Sequence, residues 1–218
     1  MFSVGEPERT LPTGLVNYST FSVSWEFADF ESRSDQLALF ERPDFTDSVL
    51  RFRFDSPGLR ISLGFGGSLT GMSNTSYFNA NALLFNDLPI LRRQRFMFAI
   101  PIQIVTDFKQ AQNNNASREF QQSSFIFGSG AATHLKIGNR VDFTARATPN
   151  FGFSFSQGNV FGGSLFRFIG ETRFHIANVF GSNALAIGYD FDYRDYDVDG
   201  DRDDARFFSH SITLGIGF

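Results

Sequence analysis

Ala205-Arg-Phe-Phe-Ser-His-Ser-Ile-Thr-Leu-Gly-Ile-Gly-Phe218 closes the chain and decides how the rest of it is read. Counting back from the end, Phe218, Ile216, Leu214 and Ile212 share one face, while Gly217, Gly215, Thr213 and Ser211 share the other. A period of two is the period of a β-strand. Nine earlier segments repeat it, at about 16–28, 47–55, 58–70, 75–85, 94–108, 119–136, 140–148, 164–178 and 183–193. In the first, Phe21, Val23, Trp25 and Phe27 oppose Ser22, Ser24 and Glu26. In the eighth, Phe166, Phe168, Phe174 and Ile176 oppose Arg167, Glu171, Arg173 and His175. Pro101 sits inside the fifth segment, where its missing N–H suggests a bulge.

Length separates two architectures. Strands of soluble proteins average about 5–6 residues, whereas a tilted membrane-crossing strand needs roughly 9–11. Most segments here meet the longer figure. The connections alternate as well. Asp55 to Gly58, Ile137 to Arg140 and Phe180 to Asn183 are tight-turn sequences, and Asn86 to Arg93 is somewhat longer. Asp29 to Thr46, Lys109 to Arg118, Pro149 to Gly163 and Asp195 to Asp204 are long and mostly polar; Gly71 to Asn74 is a short exception on that rim. The expectation is all-β: a transmembrane antiparallel up-and-down barrel of about ten strands over residues 16–218, following an N-terminal periplasmic segment, 1–15. Eight or twelve strands stay open around the fourth segment and around Phe151 to Phe155.

Composition agrees. The chain of 218 residues holds 30 Phe, more than a soluble core needs and useful on a lipid-facing wall. The net charge of −4 gives no electrostatic support for nucleic-acid binding. The absence of cysteine removes disulfides, thiolate catalysis and Cys-based zinc sites. No run of 18 apolar residues reads as a transmembrane helix. Met1 to Thr13 lacks the basic and apolar regions of a signal peptide, so an exported protein would be in processed form here.

The final strand also carries a family resemblance. An alternating last strand ending in Phe resembles the C-terminal signal of Gram-negative outer-membrane β-barrels. Ile216 stands where that family often has an aromatic, and Thr213 where it often has Gly. The resemblance implies a bacterial outer-membrane location, contact with outer-membrane lipid and lipopolysaccharide, and recognition of Phe218 by the barrel assembly machinery. It also leaves room for another envelope or extracellular protein as a partner.

Three candidate sites follow. Asp195, Asp197, Asp199, Asp201 and Asp203, with Gly200 among them, resemble the opening of a calcium loop, although the closing Glu is replaced by Arg206. The competing reading of 195–204 is a solvated acidic loop, and no other cofactor is expected. Glu26, Arg51, Arg53, Arg95, Asp142, Arg146, Arg167, Glu171, Arg173, Asp190 and Asp192 fall on polar faces as a lumen network. These residues would plug the barrel with salt bridges or, read through their arginines, line a narrow anion-selective channel. His134 and His175 join that network. His210 falls by parity on the lipid face unless a bulge near Phe207–Phe208 turns it inward. Beside Ser209 or Ser211 it resembles the His and Ser of outer-membrane lipid A deacylases, in which the Ser attacks an acyl ester with His as base. The sequence thus favours a non-enzymatic barrel that anchors, scaffolds or binds through its loops, over a channel or a lipid-modifying enzyme.

Overall fold

The computed structural model describes residues 18–33, 43–72, 74–113, 119–156, 163–198 and 204–218. They form eleven strand segments: β1 (Thr20–Ser32), β2 (Phe45–Ser56), β3 (Leu59–Gly66), β4 (Thr75–Arg93), β5 (Phe96–Asn113), β6 (Glu119–Ser129), β7 (Ala131–Ile137), β8 (Val141–Ser156), β9 (Gly163–Phe180), β10 (Asn183–Val198) and β11 (Ala205–Gly217). A 3-10 turn, Ser68–Thr70, follows β3. β6 and β7 are two halves of one barrel strand, because both pair with β5 on one side and β8 on the other in a constant register. Every strand pairs antiparallel with its chain neighbours, and β1 pairs with β11, so ten barrel strands close into a ring. The sequence expectation of ten is met.

The ring is staggered. A path across the ladders from Thr20 passes Asp55, Arg60, Leu83, Val105, Ile126, Gly152, Leu165, Tyr196 and Ala205. It returns to β1 at Ser32, twelve residues along (from 20 to 32). Such a stagger requires the strands to tilt, typically by about 35–45°.

Alternation sorts the side chains by face. On β1 Thr20, Ser22, Ser24, Glu26, Ala28, Phe30 and Ser32 are buried, and every residue between them is exposed. On β11 Ser209, Ser211 and Thr213 are buried while Ile212, Leu214 and Ile216 are exposed. The polar face is therefore the inside and the apolar face the outside, the reverse of a water-soluble barrel. Outward rings also link neighbouring strands: Phe65 to Phe78 at 5.4 Å, Phe78 to Phe108 at 6.1 Å, Phe151 to Phe166 at 4.9 Å and Phe166 to Tyr193 at 6.1 Å. Aromatic girdles of this kind mark the interfaces of membrane barrels.

Several boundaries differ from the sequence reading. β4 continues through Asn86 to Arg93, so the turn is only Gln94–Arg95. β8 runs on through Pro149 to Ser156, which removes much of the loop expected at 149–163. β5 extends to Asn113 and β10 to Val198, so Lys109 and Asp195 are strand residues. The bulge is not at Pro101: the β4–β5 register slips between Pro89 and Leu91 instead. β6 and β7 separate at Gly130, beside the stretch of β5 that contains Pro101 and so lacks a ladder donor. Residues 1–15 lie outside the described residues.

Two glycines show what the backbone demands. Pro57-Gly58 turns β2 into β3 with Gly58 at φ 83°, a conformation that a Cβ would oppose. Gly152 faces inward at a close approach, where a Cβ would fall against the Phe125 carbonyl and the Ile126 backbone. Gly152→Val is expected to lower stability by about 1–3 kcal/mol, the usual range for overpacking. Urea titration of the folded protein in liposomes checks this. Gly67→Ser, at an extended φ with open space around the added Cβ, serves as a control that leaves the midpoint unchanged.

Candidate functional site: the lumen

The inward side chains stack in three layers. At the long-loop end the polar face of six strands turns aromatic. Glu26 is followed by Ala28 and Phe30, Gln122 is preceded by Phe120, and Arg194 is followed by Tyr196 and Val198. Phe30, Phe45, Tyr77, Phe120, Tyr196 and Phe207 gather there with Met72 into one buried cluster. Phe30 meets Phe120 at 4.7 Å and Phe45 at 5.8 Å, Phe45 meets Tyr77 at 5.4 Å, and Phe120 meets Tyr196 at 5.3 Å. The rings come from β1, β2, β4, β6, β10 and β11, so they close the lumen from most of its circumference. Lys109 forms the floor of this cluster. It is fully buried, and its Nζ lies 2.8 Å from the centre of the Phe207 ring, a cation–π contact.

Below the rings lies an ionic disc. Arg51 donates to Glu26 at 2.8 Å and to Asn79 at 2.8 Å; Asn79 donates to Asp107 at 2.8 Å. Asp107 pairs with Arg194 at 2.5 Å, with no solvent exposure on either side chain. Arg194 and Arg167 then share Asp192, each at 2.8 Å. Three arginines meet three carboxylates in this layer, and the Arg194–Asp107 pair reaches from β10 across to β5.

A third layer lines the short-turn end as an unbroken chain of ion pairs. Arg173 binds Asp190 at 2.5 Å, and Arg53 binds Asp190 at 3.1 Å and Asp55 at 2.7 Å. Arg60 joins Asp55 at 2.5 Å to Glu171 at 2.6 Å; Arg146 joins Glu171 at 3.3 Å to Asp87 at 2.7 Å. β3 and β9, which carry Arg60 and Glu171, stand on opposite sides of the ring. Four arginines again meet four carboxylates.

Inside this chain is a cup of about 800 Å3. His134 lies on its wall with Nε2 at 3.0 Å from Asp87 and Nδ1 at 3.3 Å from the Thr144 hydroxyl. A hydroxyl, an imidazole and a carboxylate in a row can activate a nucleophile. Here Arg146 already binds both Asp87 oxygens, at 2.7 and 3.0 Å, so the carboxylate is shared between the imidazole and a guanidinium. His175 lies on the same wall, stacked on Tyr18 at 4.9 Å with Thr20 at 3.2 Å. Burial, and secondarily the Asp142 carboxylate, raise the Tyr18 phenol above its usual pKa and keep it protonated.

Ten of the eleven residues expected in the lumen network are there, together with Lys136, which pairs with Asp142 at 3.0 Å. Arg95 is not: it lies exposed in the turn after β4, because the hairpin extends past the rim before turning. Alternation missed three members. By sequence Asp87 falls in a turn, Lys109 at the start of a loop and Arg194 one residue beyond its strand. Carrying each strand's parity one to three residues further finds them, together with Phe30, Phe45 and Tyr196.

His210 remains outside. The β1–β11 and β10–β11 registers run unbroken through it, and its exposed ring sits between Phe27 at 5.9 Å and Phe208 at 5.6 Å. Ser209 and Ser211 point inward, so the deacylase-like His–Ser arrangement is not formed. Asp195 and Asp197 face outward on β10, and Asp195 pairs with Arg33 at 2.7 Å. Asp199, Asp201 and Asp203 lie outside the described residues, among which no three His, Asp or Glu groups gather to hold a metal. Phe218 exchanges backbone hydrogen bonds with Ser19 at 2.9 and 3.1 Å, tying the last residue to the start of the ring.

No protein-family model matches the sequence, and neither does any curated protein. Solved structures to which the chain is similar include the outer membrane protease OmpT of Escherichia coli, at 7% identity and TM-score 0.44, covering 93% of this chain and 95% of that one. The translocator domain of the autotransporter NalP from Neisseria meningitidis gives 9% and 0.43, covering 92% and 87%. Ail, the attachment invasion locus protein of Yersinia pestis, gives 11% and 0.28 in its heparin-analogue complex, covering 94% and 100%. These identities and superpositions are too low to carry any activity across.

The ionic disc yields a direct expectation. Removing one partner of a buried pair strands the other charge, at a cost of about 3–5 kcal/mol. Arg194→Met should lose about that much in urea titration, because it leaves Asp107 and Asp192 short of a partner. Asp107→Asn in the same chain should recover part of the loss, whereas independent additive losses would mean that the pair is not coupled.

Proposed function

We propose that the protein is a bacterial outer-membrane barrel that anchors, scaffolds or binds through its outer loops, with a lumen closed to solute flow. The observation that carries this reading is the cross-lumen pairing. Arg60 with Glu171 and Arg194 with Asp107 bridge the barrel at two levels, under a third layer of packed rings. An anion channel needs an excess of positive charge facing a continuous water path. Here every arginine of both ionic layers has a carboxylate, and the space of the cup lies within the lower layer, on the short-turn side of the ionic disc. The apolar outer wall and the aromatic girdle support the membrane location. With the lumen filled, the long connections at the other rim are the surface left for binding.

Planar-bilayer recording tests the reading. The wild-type chain is expected to insert without steady unitary currents. Phe30→Ala combined with Arg194→Ala, which thins two layers at once, is expected to leak. Steady openings of the wild type would overturn the closed-lumen proposal.

A further inference from the structure

The exposed charges are segregated by end. On the short-turn rim, the exposed charged side chains among the described residues are Arg92, Arg93, Arg95 and Arg140, with Arg92 also at the edge of the cup. The carboxylates of that end, Asp55, Asp87 and Asp142, instead turn inward and are ion-paired with Arg60, Arg146 and Lys136. At the long-loop rim the exposed charges among the described residues are mainly acidic: Asp29, Glu31, Asp44, Glu119 and Asp197, with Arg33 among them.

The four arginines sit on adjoining tips. The Lys136 N–H donates to the Arg95 carbonyl at 2.8 Å, and the Ala177 N–H donates to the Arg140 carbonyl at 2.7 Å. The β4–β5 turn, the β7–β8 turn and the lower end of β9 are thus stitched into one rim. Exposed apolar side chains run into this rim from the lipid-facing wall: Ile90, Leu91, Ile137 and Phe180. Guanidiniums just beyond an apolar belt lie at headgroup depth, where long basic side chains reach outward to phosphates. A guanidinium also matches a phosphate through paired N–H donors.

We infer that this arginine rim is a binding surface for anionic phospholipid headgroups, gripping the leaflet on the short-turn side. The occupant follows from two features together. The charge complements an anionic surface, and the patch is continuous with the wall that already faces lipid. The attraction of several basic groups to such a surface accumulates and is weakened by salt. The inference does not depend on whether the lumen conducts.

Native mass spectrometry of the detergent-solubilised chain, titrated with phosphatidylglycerol and separately with phosphatidylcholine of the same acyl chains, tests it. The wild type is expected to hold phosphatidylglycerol roughly tenfold more tightly, and rising salt should erode that preference. Arg→Gln at all four positions should abolish the preference, whereas Arg→Lys at all four should keep most of it. Heat-modifiable gel migration establishes that each variant is folded, and the salt titration of the wild type needs no variant at all. Equal affinity for the two lipids, a preference indifferent to salt, or undiminished phosphatidylglycerol binding by the folded Gln variant would overturn the inference. Displacement of the lipid by inorganic phosphate alone would also overturn it, by assigning the rim to free phosphate rather than to a membrane surface.

Discussion

Arg60 and Glu171, 2.6 Å apart across the full width of the ring, express the constraint on which the whole molecule depends. A barrel whose outer wall faces hydrocarbon must satisfy its polar groups inward, because the membrane core offers no water to them. An interior lined by one sign of charge would need a water-filled path to screen it. This chain alternates the signs so that each guanidinium finds a carboxylate on another strand. The resulting bridges fill the lumen and tie distant strands together. They also leave the outer wall free to be almost wholly apolar. Isolated, each pair would be weak evidence for stability, because desolvation offsets the attraction. Their value here lies in their linkage, since a missing member strands its neighbours.

The layers divide the labour. The long-loop end is closed by packed rings, which need no partners and exclude water. The middle layer is closed and the lower layer lined by paired charges, which hold their geometry through directional bonds. Only the short-turn end keeps open space, and its wall is made of groups already engaged with one another.

Much of this was legible in the sequence because the strand period is strict. Once Phe21, Val23, Trp25 and Phe27 are placed outside, Ser22, Ser24 and Glu26 must be inside, and a one-residue slip would reverse every face. The ring of ten, the inside-out polarity and ten of the network residues follow from that rule. What escaped has a physical reason in each case. The aromatic layer was hidden because Phe30, Phe120 and Phe207 are apolar residues on a face otherwise recognised by its polarity. Arg194 and Lys109 were hidden because strand ends were drawn where polar residues begin, although a barrel interior is polar throughout. Asp87 was hidden because β4 runs past Pro89 with a slip in register, which propensity reads as a turn. Arg95 was assigned inward by parity, yet the two-residue turn that contains it lies outside any face. Cross-lumen partners such as Arg60 and Glu171 depend on ring closure and stagger, which one strand's sequence does not encode.

The central claim, that the Phe-rich faces form the outer wall and meet lipid, can be read from the chain's single tryptophan. Trp25 points outward from β1, 44% exposed, beside Phe27 and opposite Ile212 and Leu50. In vesicles whose acyl chains carry bromine, its fluorescence is expected to be strongly quenched, while iodide in the aqueous phase leaves it nearly unchanged. Efficient quenching by iodide with no response to brominated chains would place Trp25 in water and contradict the inside-out barrel.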